Sequence, residues 1–428
     1  MIGLMVSQET RTTRSTTADT TTTAGPARSA TRAWTTRLLV AGIALTALNL
    51  RPAITSLGAL LEEVRDGLGM SGSLAGLLTS VPPLCFAVFG VMAPRLARRF
   101  GPAAVVCAGM AAITTGLLIR PYVGSTAGFL AASALALMGI AVSNVLMPVI
   151  VKRWFPDRVG SMTGLYSMAL ALGTAAAAAV TVPATEMLGG SWQSGLAVWA
   201  GPAAAAVLPW IPFVRRRGPA PAPEAPARDE PPDALRITRS RTAWALAVFF
   251  GLQATAAYIT MGWMAQIFRD AGVPASTAGL LLAVTMVMGV PLGFLIPRLA
   301  ARLPHQGPIV LALGACGLAG YAGLYLAPAG GAWAWALLLG VANCAFPLAL
   351  TMVGMRARTG VGVARLSAFA QSTGYLISIP GPLLVGVLYQ HSGGWGLPIA
   401  LMTALLVPQT VMGVLAGRDR TVEDEAAR

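Results

Sequence analysis

The chain alternates between apolar runs of roughly twenty residues and short polar breaks, and this alternation extends from Trp34 to Gly417. A helix needs about 20 apolar residues to cross the hydrocarbon core of a bilayer. Only 11% of the 428 residues are charged, whereas a soluble domain carries about 25%. A soluble fold of this composition could not cover its apolar surface, so the sequence predicts an all-α membrane protein with twelve transmembrane helices.

The ends of the spans are set where Gly, Pro and charged residues interrupt each apolar run. The predicted spans are 36–61, 73–94, 102–120, 126–151, 160–183, 194–214, 243–267, 276–297, 307–327, 332–354, 365–390 and 395–416.

The distribution of basic residues predicts the orientation, because cytoplasmic loops carry an excess of Lys and Arg. With the N-terminus inside, 26 of the thirty basic residues lie in predicted inner segments. The outer loops hold Arg65, Arg120 and Arg269, and Arg51 lies within a span. Both termini are therefore predicted to be cytoplasmic, in a multi-pass protein of a bacterial inner membrane. The net charge of +14 then reflects topology and not nucleic-acid binding.

Two stretches repeat along the chain. The segment Ala75–Leu78 matches Ala278–Leu281 at an offset of 203, and Pro94–Ala97 matches Pro297–Ala300 at the same offset. The repeat predicts two pseudo-symmetric six-helix halves, which is the architecture of major facilitator transporters. The chain then divides into five parts. These are a disordered cytoplasmic tail (1–33), an N-terminal half (34–214), a flexible cytoplasmic linker (215–241), a C-terminal half (242–417) and a second cytoplasmic tail (418–428).

Arg51 is the charged residue that most constrains function. It lies about ten residues from the outer end of the first span, which is near mid-bilayer at a rise of about 1.5 Å per residue. A guanidinium at that depth costs at least about 2.5–3.5 kcal/mol and stays protonated. No acid of the predicted spans lies at the same depth. An anionic substrate is the simplest complement, and the alternative is that Arg51 binds helix carbonyls and only stabilises packing.

Other polar side chains in the predicted spans also need hydrogen-bond partners in the hydrocarbon. Some would contact substrate, and others would only join helices, which is the commoner role. We predict a substrate site of Arg51, Thr55, Asn144, Gln253, Tyr258, Trp263, Asn343, Gln371 and Tyr375, with Tyr258 and Trp263 as an aromatic wall. We predict gating contacts at the cytoplasmic surface from Arg95, Arg99, Lys152, Asp157 and Arg298, although positive charge there also determines topology.

Three segments carry a family resemblance: "LNLRPAITSLGALL" (48–61), "SNVLMPVIVKRWFPDRVGSMTGLYSMAL" (143–170) and "QSTGYLISIPGPLLVGVLY" (371–389). The chain resembles the cyanate/2-nitroimidazole transporter branch of the major facilitator superfamily over about 34–417. The resemblance implies a twelve-helix rocking transporter for small anionic or nitro/heteroaromatic solutes. One departure from the superfamily pattern is Arg98, which stands where the loop between spans two and three usually has Asp, so the gating interaction of that Asp is in doubt.

The predicted function is alternating-access transport of such a solute, secondary active or facilitative, with Arg51 as the anchor. The missing buried acid disfavours proton coupling through a carboxylate and leaves uniport, exchange or a proton carried on the substrate.

A multidrug exporter of neutral or cationic compounds is the alternative. An enzyme and a nutrient receptor are disfavoured, because the spans lack paired carboxylates, a metal cluster or a nucleophile–base set and both tails are short. No cofactor or metal is predicted; the expected partners are a small-molecule substrate and membrane lipid, and we expect a monomer.

Overall fold

The structure contains the twelve predicted spans. It is a computed structural model that describes residues 26–214 and 237–426, and these residues include twelve helices long and apolar enough to cross a bilayer. We number them α1 (Trp34–Ala59), α2 (Gly72–Phe100), α3 (Pro102–Tyr122), α4 (Thr126–Trp154), α5 (Ser161–Met187), α6 (Trp192–Phe213), α7 (Arg241–Asp270), α8 (Ala275–Arg302), α9 (Gly307–Leu326), α10 (Ala332–Met355), α11 (Gly362–Ser392) and α12 (Gly396–Ala416).

Successive helices run in opposite directions, so their ends alternate between two faces of the bundle. We call the face with Glu62 and Arg269 the outer face, and the face with Arg98 and Arg302 the inner face. The predicted repeat places α2 and α8 at equivalent positions in the two halves, and these helices begin at Gly72 and Ala275.

The predicted tails and linker lie partly outside the described residues, which exclude 1–25, 215–236 and 427–428. The helix that continues as α1 begins at Pro26, within the predicted N-terminal tail. Among the described residues, 26–38 belong to one unit and those from Leu39 onward to a second, larger compact unit.

Proline breaks α1 at the depth of Arg51. Pro52 has no N–H and its ring disfavours a continuous helix, so one helix ends at Asn49 and the next runs from Pro52 to Ala59. Arg51 lies in the gap with φ −124° and ψ −25°. Its carbonyl oxygen accepts hydrogen bonds from the backbone N–H groups of Ile54 and Thr55 at 2.9 and 3.1 Å, which starts the second helix.

Three helices of the C-terminal half are also interrupted near their middles. The breaks lie at Met288 in α8, at Cys344 in α10 and at Ile379, before Pro380, in α11. Irregular backbone at membrane depth is tolerated only where protein or a water-filled cavity covers it. Each interruption must therefore be covered by protein or line a cavity.

An apolar cluster holds the outer end of the N-terminal half together. It contains Leu57, Ala59, Leu60, Val64, Met70, Leu78, Phe129, Val182 and Leu196. Leu60 and Val64 anchor the short helix Leu61–Leu68 to this cluster, and the same helix carries Glu62 and Glu63 near its start. The cluster thereby fixes two carboxylates at the outer face, beside the C-terminal half.

The predicted C-terminal tail includes a short helix, Val422–Ala426, that is bound to the C-terminal half. The carboxylate of Glu425 accepts hydrogen bonds from the hydroxyls of Ser240 and Thr242 at 2.6 and 2.8 Å. Glu423 Oε1 accepts from the backbone N–H of Arg358 at 3.1 Å. This segment links the start of α7 to the connection between α10 and α11.

Candidate functional site

A cavity of about 580 Å³ lies between the two halves. Its lining comes from the middle of α7 and α11 and from the inner halves of α5, α8 and α10. The lining includes Arg51 and Tyr375 and residues from 163–174, 254–261, 286–294 and 340–350. The cavity therefore extends from the depth of the α1 break toward the inner face.

Arg51 presents its guanidinium to this cavity among aromatic rings. Its Cζ atom lies 5.8 Å from the ring centroid of Phe86 and 6.0 Å from that of Tyr258. Tyr375 stacks on Phe86 with centroids 5.0 Å apart. The negative faces of such rings attract a cation but do not neutralise it. Among the described residues no ion pair joins Arg51 to an acid, so the positive charge is available to a ligand.

The remaining walls are mostly apolar. The large apolar side chains include Met168, Met261, Met286, Phe294, Phe346 and Leu350, and the few polar ones include Thr163, Ser167, Thr174 and Asn343. Apolar walls with a small number of placed polar groups are typical of small-molecule sites. Methionine side chains adapt their shape easily, which suits a pocket whose occupants differ in outline.

Four of the nine predicted substrate residues line the cavity: Arg51, Tyr258, Asn343 and Tyr375. They come from α1, α7, α10 and α11, and thus from both halves. Thr55 points elsewhere; its side chain is buried and its hydroxyl donates to the carbonyl oxygen of Arg51 at 3.3 Å.

The other four predicted residues contact protein groups and do not line the cavity. Gln253 donates to the side-chain oxygen of Asn343 at 2.8 Å and accepts from Gln409 at 2.7 Å, which joins α7, α10 and α12. Asn144 accepts a hydrogen bond from the Tyr166 hydroxyl, which joins α4 and α5. Gln371 donates to Ser367 within α11.

Trp263 differs most from its predicted role as a wall of the substrate site. Its indole N–H donates to Thr79 Oγ1 at 3.1 Å, and its ring packs against Tyr389 and Trp395 at centroid distances of 6.1 and 5.8 Å. These residues lie on the outer side of the cavity. Trp263 therefore closes the outer side of the bundle.

The five predicted gating residues, Arg95, Arg99, Lys152, Asp157 and Arg298, are exposed at the inner face. Within the described chain none of them forms an ion pair. The inner ends of the two halves are not joined through these side chains in this conformation, and a gating role for them stays a prediction.

Ion pairs join the halves at the outer face instead. The Arg269 Nη2 atom, at the end of α7, lies 2.9 Å from both Glu62 Oε2 and Glu63 Oε1. Asp270 accepts from Gln266 at 2.6 Å and from Tyr389 and Trp395 at 2.8 Å each. We call the contact of Arg269 with Glu62 and Glu63 the outer clasp.

The backbones of the two halves also approach closely beside the clasp. A Cβ atom at Gly58 would lie 1.9 Å from the carbonyl oxygen of Met261, and one at Gly386 would lie 2.7 Å from the Cα atom of Gly76. Only glycine permits contacts this close. The outer face is thus sealed while the cavity extends toward the inner face, which is an inward-facing arrangement.

The sequence reasoning missed Phe86 and Ser167, as well as the outer clasp. Phe86 reads as one more apolar residue of α2, and nothing in the sequence shows that its ring faces Arg51. Ser167 and Tyr166 lie within the quoted segment 143–170, so the resemblance was the one signal that could have pointed to them.

A family model described as the Major Facilitator Superfamily matches residues 39–362. The chain belongs to the major facilitator superfamily. This superfamily consists of transporters, so the chain is a multi-pass membrane transporter and not an enzyme.

Curated relatives confirm the predicted branch of the superfamily. The uncharacterized transporter YycB of Bacillus subtilis strain 168 is 36% identical over 389 residues, which are 90% of this chain and 94% of that protein. The 2-nitroimidazole transporter of Escherichia coli strain K12 is 32% identical over 390 residues, which are 90% of this chain and 96% of that protein. The cyanate transport protein CynX of the same strain is 30% identical over 355 residues, with coverage of 82% and 90%.

Solved structures show the same major facilitator fold. A D-xylose–proton symporter superposes with a TM-score of 0.68 at 14% identity, over 90% of this chain and 99% of that one. A bacterial homologue of the human lysosomal transporter Spinster superposes with a TM-score of 0.68 at 17% identity, over 92% and 97%. At these identities the likeness concerns the fold alone.

Proposed function

We propose that this superfamily member moves a small anionic or nitro/heteroaromatic solute by alternating access and that Arg51 anchors the substrate. The observation that carries the proposal is the Arg51 guanidinium, which lines the central cavity beside Phe86 and Tyr258 and has no acid partner among the described residues. A guanidinium binds a carboxylate or nitro group through two parallel hydrogen bonds. The aromatic rings beside it offer faces on which a planar substrate can stack.

The size of the cavity supports a ring-containing substrate. Its volume of about 580 Å³ falls within the range of about 300–1,000 Å³ that small-molecule sites occupy. A three-atom anion would fill little of it, whereas an aromatic carboxylate or a nitroheterocycle could contact Arg51 and the apolar wall together. The names of the relatives, a 2-nitroimidazole transporter and a cyanate transport protein, agree with this class of solutes.

The proposed mechanism is a rocking movement of the two halves about the cavity. In the sealed-outer arrangement the solute exchanges with the inner side. Release of the outer clasp and closure of the inner ends would expose the same site to the outer side. We further propose that the inner face is cytoplasmic, that the membrane is the bacterial inner membrane and that the protein is a monomer; the charge distribution supports the orientation.

The rival function is export of neutral or cationic drugs. The observation in its favour is the apolar, methionine-containing wall formed by Met168, Met261 and Met286. The unpaired guanidinium opposes it, because a cationic drug would be repelled by Arg51.

Ligand-induced thermal stabilisation of the purified protein tests the proposal. The panel contains cyanate, benzoate, 2-nitroimidazole and the lipophilic cation tetraphenylphosphonium, run on the parent, on Arg51→Ala and on Arg302→Ala. Arg302→Ala is the matched control, because it removes an exposed arginine of α8 that lies outside the cavity lining. We expect an anion or the nitro compound to raise the Tm of the parent and of Arg302→Ala but not of Arg51→Ala.

Two outcomes would contradict the proposal. Stabilisation by the lipophilic cation alone would favour the exporter. Stabilisation by an anion that persists in Arg51→Ala would show that Arg51 only supports packing.

A further inference from the structure

A second guanidinium is buried on the outer side of the bundle. Arg120 lies in the last turn of α3 and is only 2% exposed, although the sequence placed it in an outer loop. Its Nη1 atom donates to the carbonyl oxygen of Ala53 at 2.9 Å, and Nη2 lies 3.4 Å from Ser56 Oγ. Its Nε atom is buried without a hydrogen-bond partner.

The charge of Arg120 is not matched by an acid. Within residues 26–214 and 237–426 it forms no ion pair, and the nearby outer carboxylates of Glu62 and Glu63 bind Arg269. The ring of Phe129 lies 5.9 Å from Arg120 Cζ, which is a weak compensation. An uncompensated buried charge is costly. A neutral side chain with hydrogen-bond donors could link α3 to α1 equally well, so a linking role does not explain why this residue is charged.

Arg120 lines a small void together with two other unpaired polar groups. The void measures about 10 Å³, close to the space of one water molecule. Ser133 and Tyr258 also line it, and their hydroxyl oxygens are buried without hydrogen-bond partners. Three unpaired polar groups around one void indicate a place for a polar ligand, because buried polar groups are normally paired.

The void lies directly outward of the central cavity. Tyr258 lines both spaces, while the other walls of the void come from the outer parts of α1, α2, α3, α4 and α7. Ala53, whose carbonyl binds Arg120, is two residues from Arg51 in the chain. Arg51 and Arg120 therefore line two neighbouring spaces that share Tyr258 as a wall.

The walls of the void belong to both halves. Arg120 and Ser133 come from the N-terminal half, whereas Tyr258 and Gly262 come from α7 of the C-terminal half. When the outer face opens, α7 must move away from α1 and α2, so this void is the space that widens. Arg120 would then face the outer solution.

We propose that Arg120, with the hydroxyls of Ser133 and Tyr258, forms a second anion-binding site that a small monovalent anion occupies when the outer face is open. The site receives the anion from the outer side, and closure of α7 transfers it inward to Arg51. The proposal rests on the proposed function in one respect, namely that the transported solute carries negative charge. It adds a second binding site to the transport pathway and assigns roles to residues outside the central cavity.

Equilibrium dialysis with radiolabelled thiocyanate, a linear monovalent anion, tests this site. Binding is measured in the full-length parent and in a Gly386→Leu background, where a side chain would overlap the Gly76 backbone and keep the outer ends of α2 and α11 apart without entering the void. Arg269→Ala, which removes the outer clasp, is the second outward background should Gly386→Leu fold poorly. Arg120→Gln, Arg120→Lys, Ser133→Ala and Arg51→Gln are compared in each background, with Arg302→Gln as the exposed control.

We expect Arg120→Gln to weaken binding about tenfold or more in the outward background and to change it little in the parent, because one charge-assisted contact is lost only where the site is open. Arg120→Lys should retain much of the affinity, and Ser133→Ala should lose a smaller part of it. Arg51→Gln should weaken binding in the parent.

The failures of the two proposals are distinguishable. If Arg120→Gln binds thiocyanate like its own background in both conformations, the outer site is wrong and the proposed function stands. If Arg51→Gln has no effect while Arg120→Gln weakens binding, the outer site stands and the proposed anchor is wrong. If the parent and the outward backgrounds bind no thiocyanate, the outer site is overturned, and the proposed function is decided by the thermal-stabilisation panel with benzoate and 2-nitroimidazole.

Discussion

At the scale of single residues, the polar side chains inside the bundle divide into two kinds. Gln253 has both ends of its amide paired, to Asn343 and to Gln409. Arg51 faces the cavity beside aromatic rings and lacks an acid among the described residues. Gln253 therefore joins helices, whereas Arg51 is placed to bind a ligand.

Replacement of Gln253 should therefore affect stability and not ligand binding. Gln253→Ala leaves the Gln409 amide N–H without its buried acceptor, which costs about 1–3 kcal/mol. We expect a lower Tm for the purified variant and an unchanged stabilisation by the anion that binds the parent. A variant that folds normally but no longer responds to the anion would show that Gln253 contributes to the site.

At the scale of helices, the close contact of α1 with α7 governs closure of the outer face. The backbone of Gly58 touches the Met261 carbonyl so closely that a larger side chain has no room. Gly58→Leu should hold the outer ends apart and favour the outward-facing state. The control is Gly201→Leu, the same change at a helical glycine of α6 whose Cβ would meet no atom within 4 Å.

Labelling of a cavity cysteine measures this shift. Ser167→Cys places a thiol in the inner half of the cavity, at an exposed position of α5. N-ethylmaleimide should label it more slowly in the Gly58→Leu background and at the parent rate with Gly201→Leu. Equal labelling in all three proteins would contradict the assignment of Gly58 to the outer seal.

The C-terminal helix Val422–Ala426 contacts α7 through Glu425, and we expect this contact to depend on pH. Burial alone would raise the pKa of Glu425, but hydrogen bonds from Ser240 and Thr242 outweigh it and hold that pKa below its ordinary value. A carboxyl whose pKa is lowered on folding stabilises the folded form above its ordinary pKa, and this is lost as the pH falls through the lowered value.

Glu425→Gln should accordingly loosen the helix at neutral pH. Hydrogen exchange of the amides of 422–426 should be faster in the variant than in the parent at pH 7. The difference should shrink as the pH falls below the ordinary carboxyl range of about 4.3. A difference that stays constant across this range would show that charge on Glu425 is not what holds the helix.

At the scale of the whole molecule, the outer clasp and the cavity define one state of a two-state transporter. Arg269 binds the carboxylates of Glu62 and Glu63, whose side chains are 41% and 33% exposed. Partly exposed ion pairs contribute about 0.2–1 kcal/mol each. The clasp can therefore bias the equilibrium between the two states without locking it.

Arg269→Ala should raise the outward-facing population by a few-fold. The measurement is again maleimide labelling of Ser167→Cys, which should become slower, and high salt should slow labelling in the parent because it screens exposed charges. A charge swap, Arg269→Glu with Glu63→Arg, should restore part of the parent rate. If neither the substitution nor high salt changes the labelling rate, the outer clasp does not determine closure of the outer face.

The sequence predicted those features that depend on local pattern. Apolar runs and their breaks gave twelve spans, and the depth of Arg51 followed from its place in the first run. Contacts between distant segments were not predictable in this way, because the register of one half against the other is a property of the assembled bundle. Arg269 meets Glu62 from the other half, and Trp263 turns outward to Thr79; neither direction is encoded in the spacing.

Arg120 shows the same limit for a single residue. Counting charges between the predicted spans placed it in an outer loop. Its burial follows from a turn of 3-10 helix at Arg120–Tyr122 that continues α3 and from acceptors on α1 that only the folded structure brings near.

The most direct test of the account is whether Arg51 selects for negative charge. Binding of benzoate and of benzamide, its neutral counterpart of nearly the same shape, should be measured by calorimetry on the parent, Arg51→Lys and Arg51→Gln. We predict that the parent prefers benzoate by about tenfold or more, that Arg51→Lys keeps part of this preference and that Arg51→Gln loses it. A parent that binds both equally, or an Arg51→Gln protein that still prefers benzoate, would contradict the account.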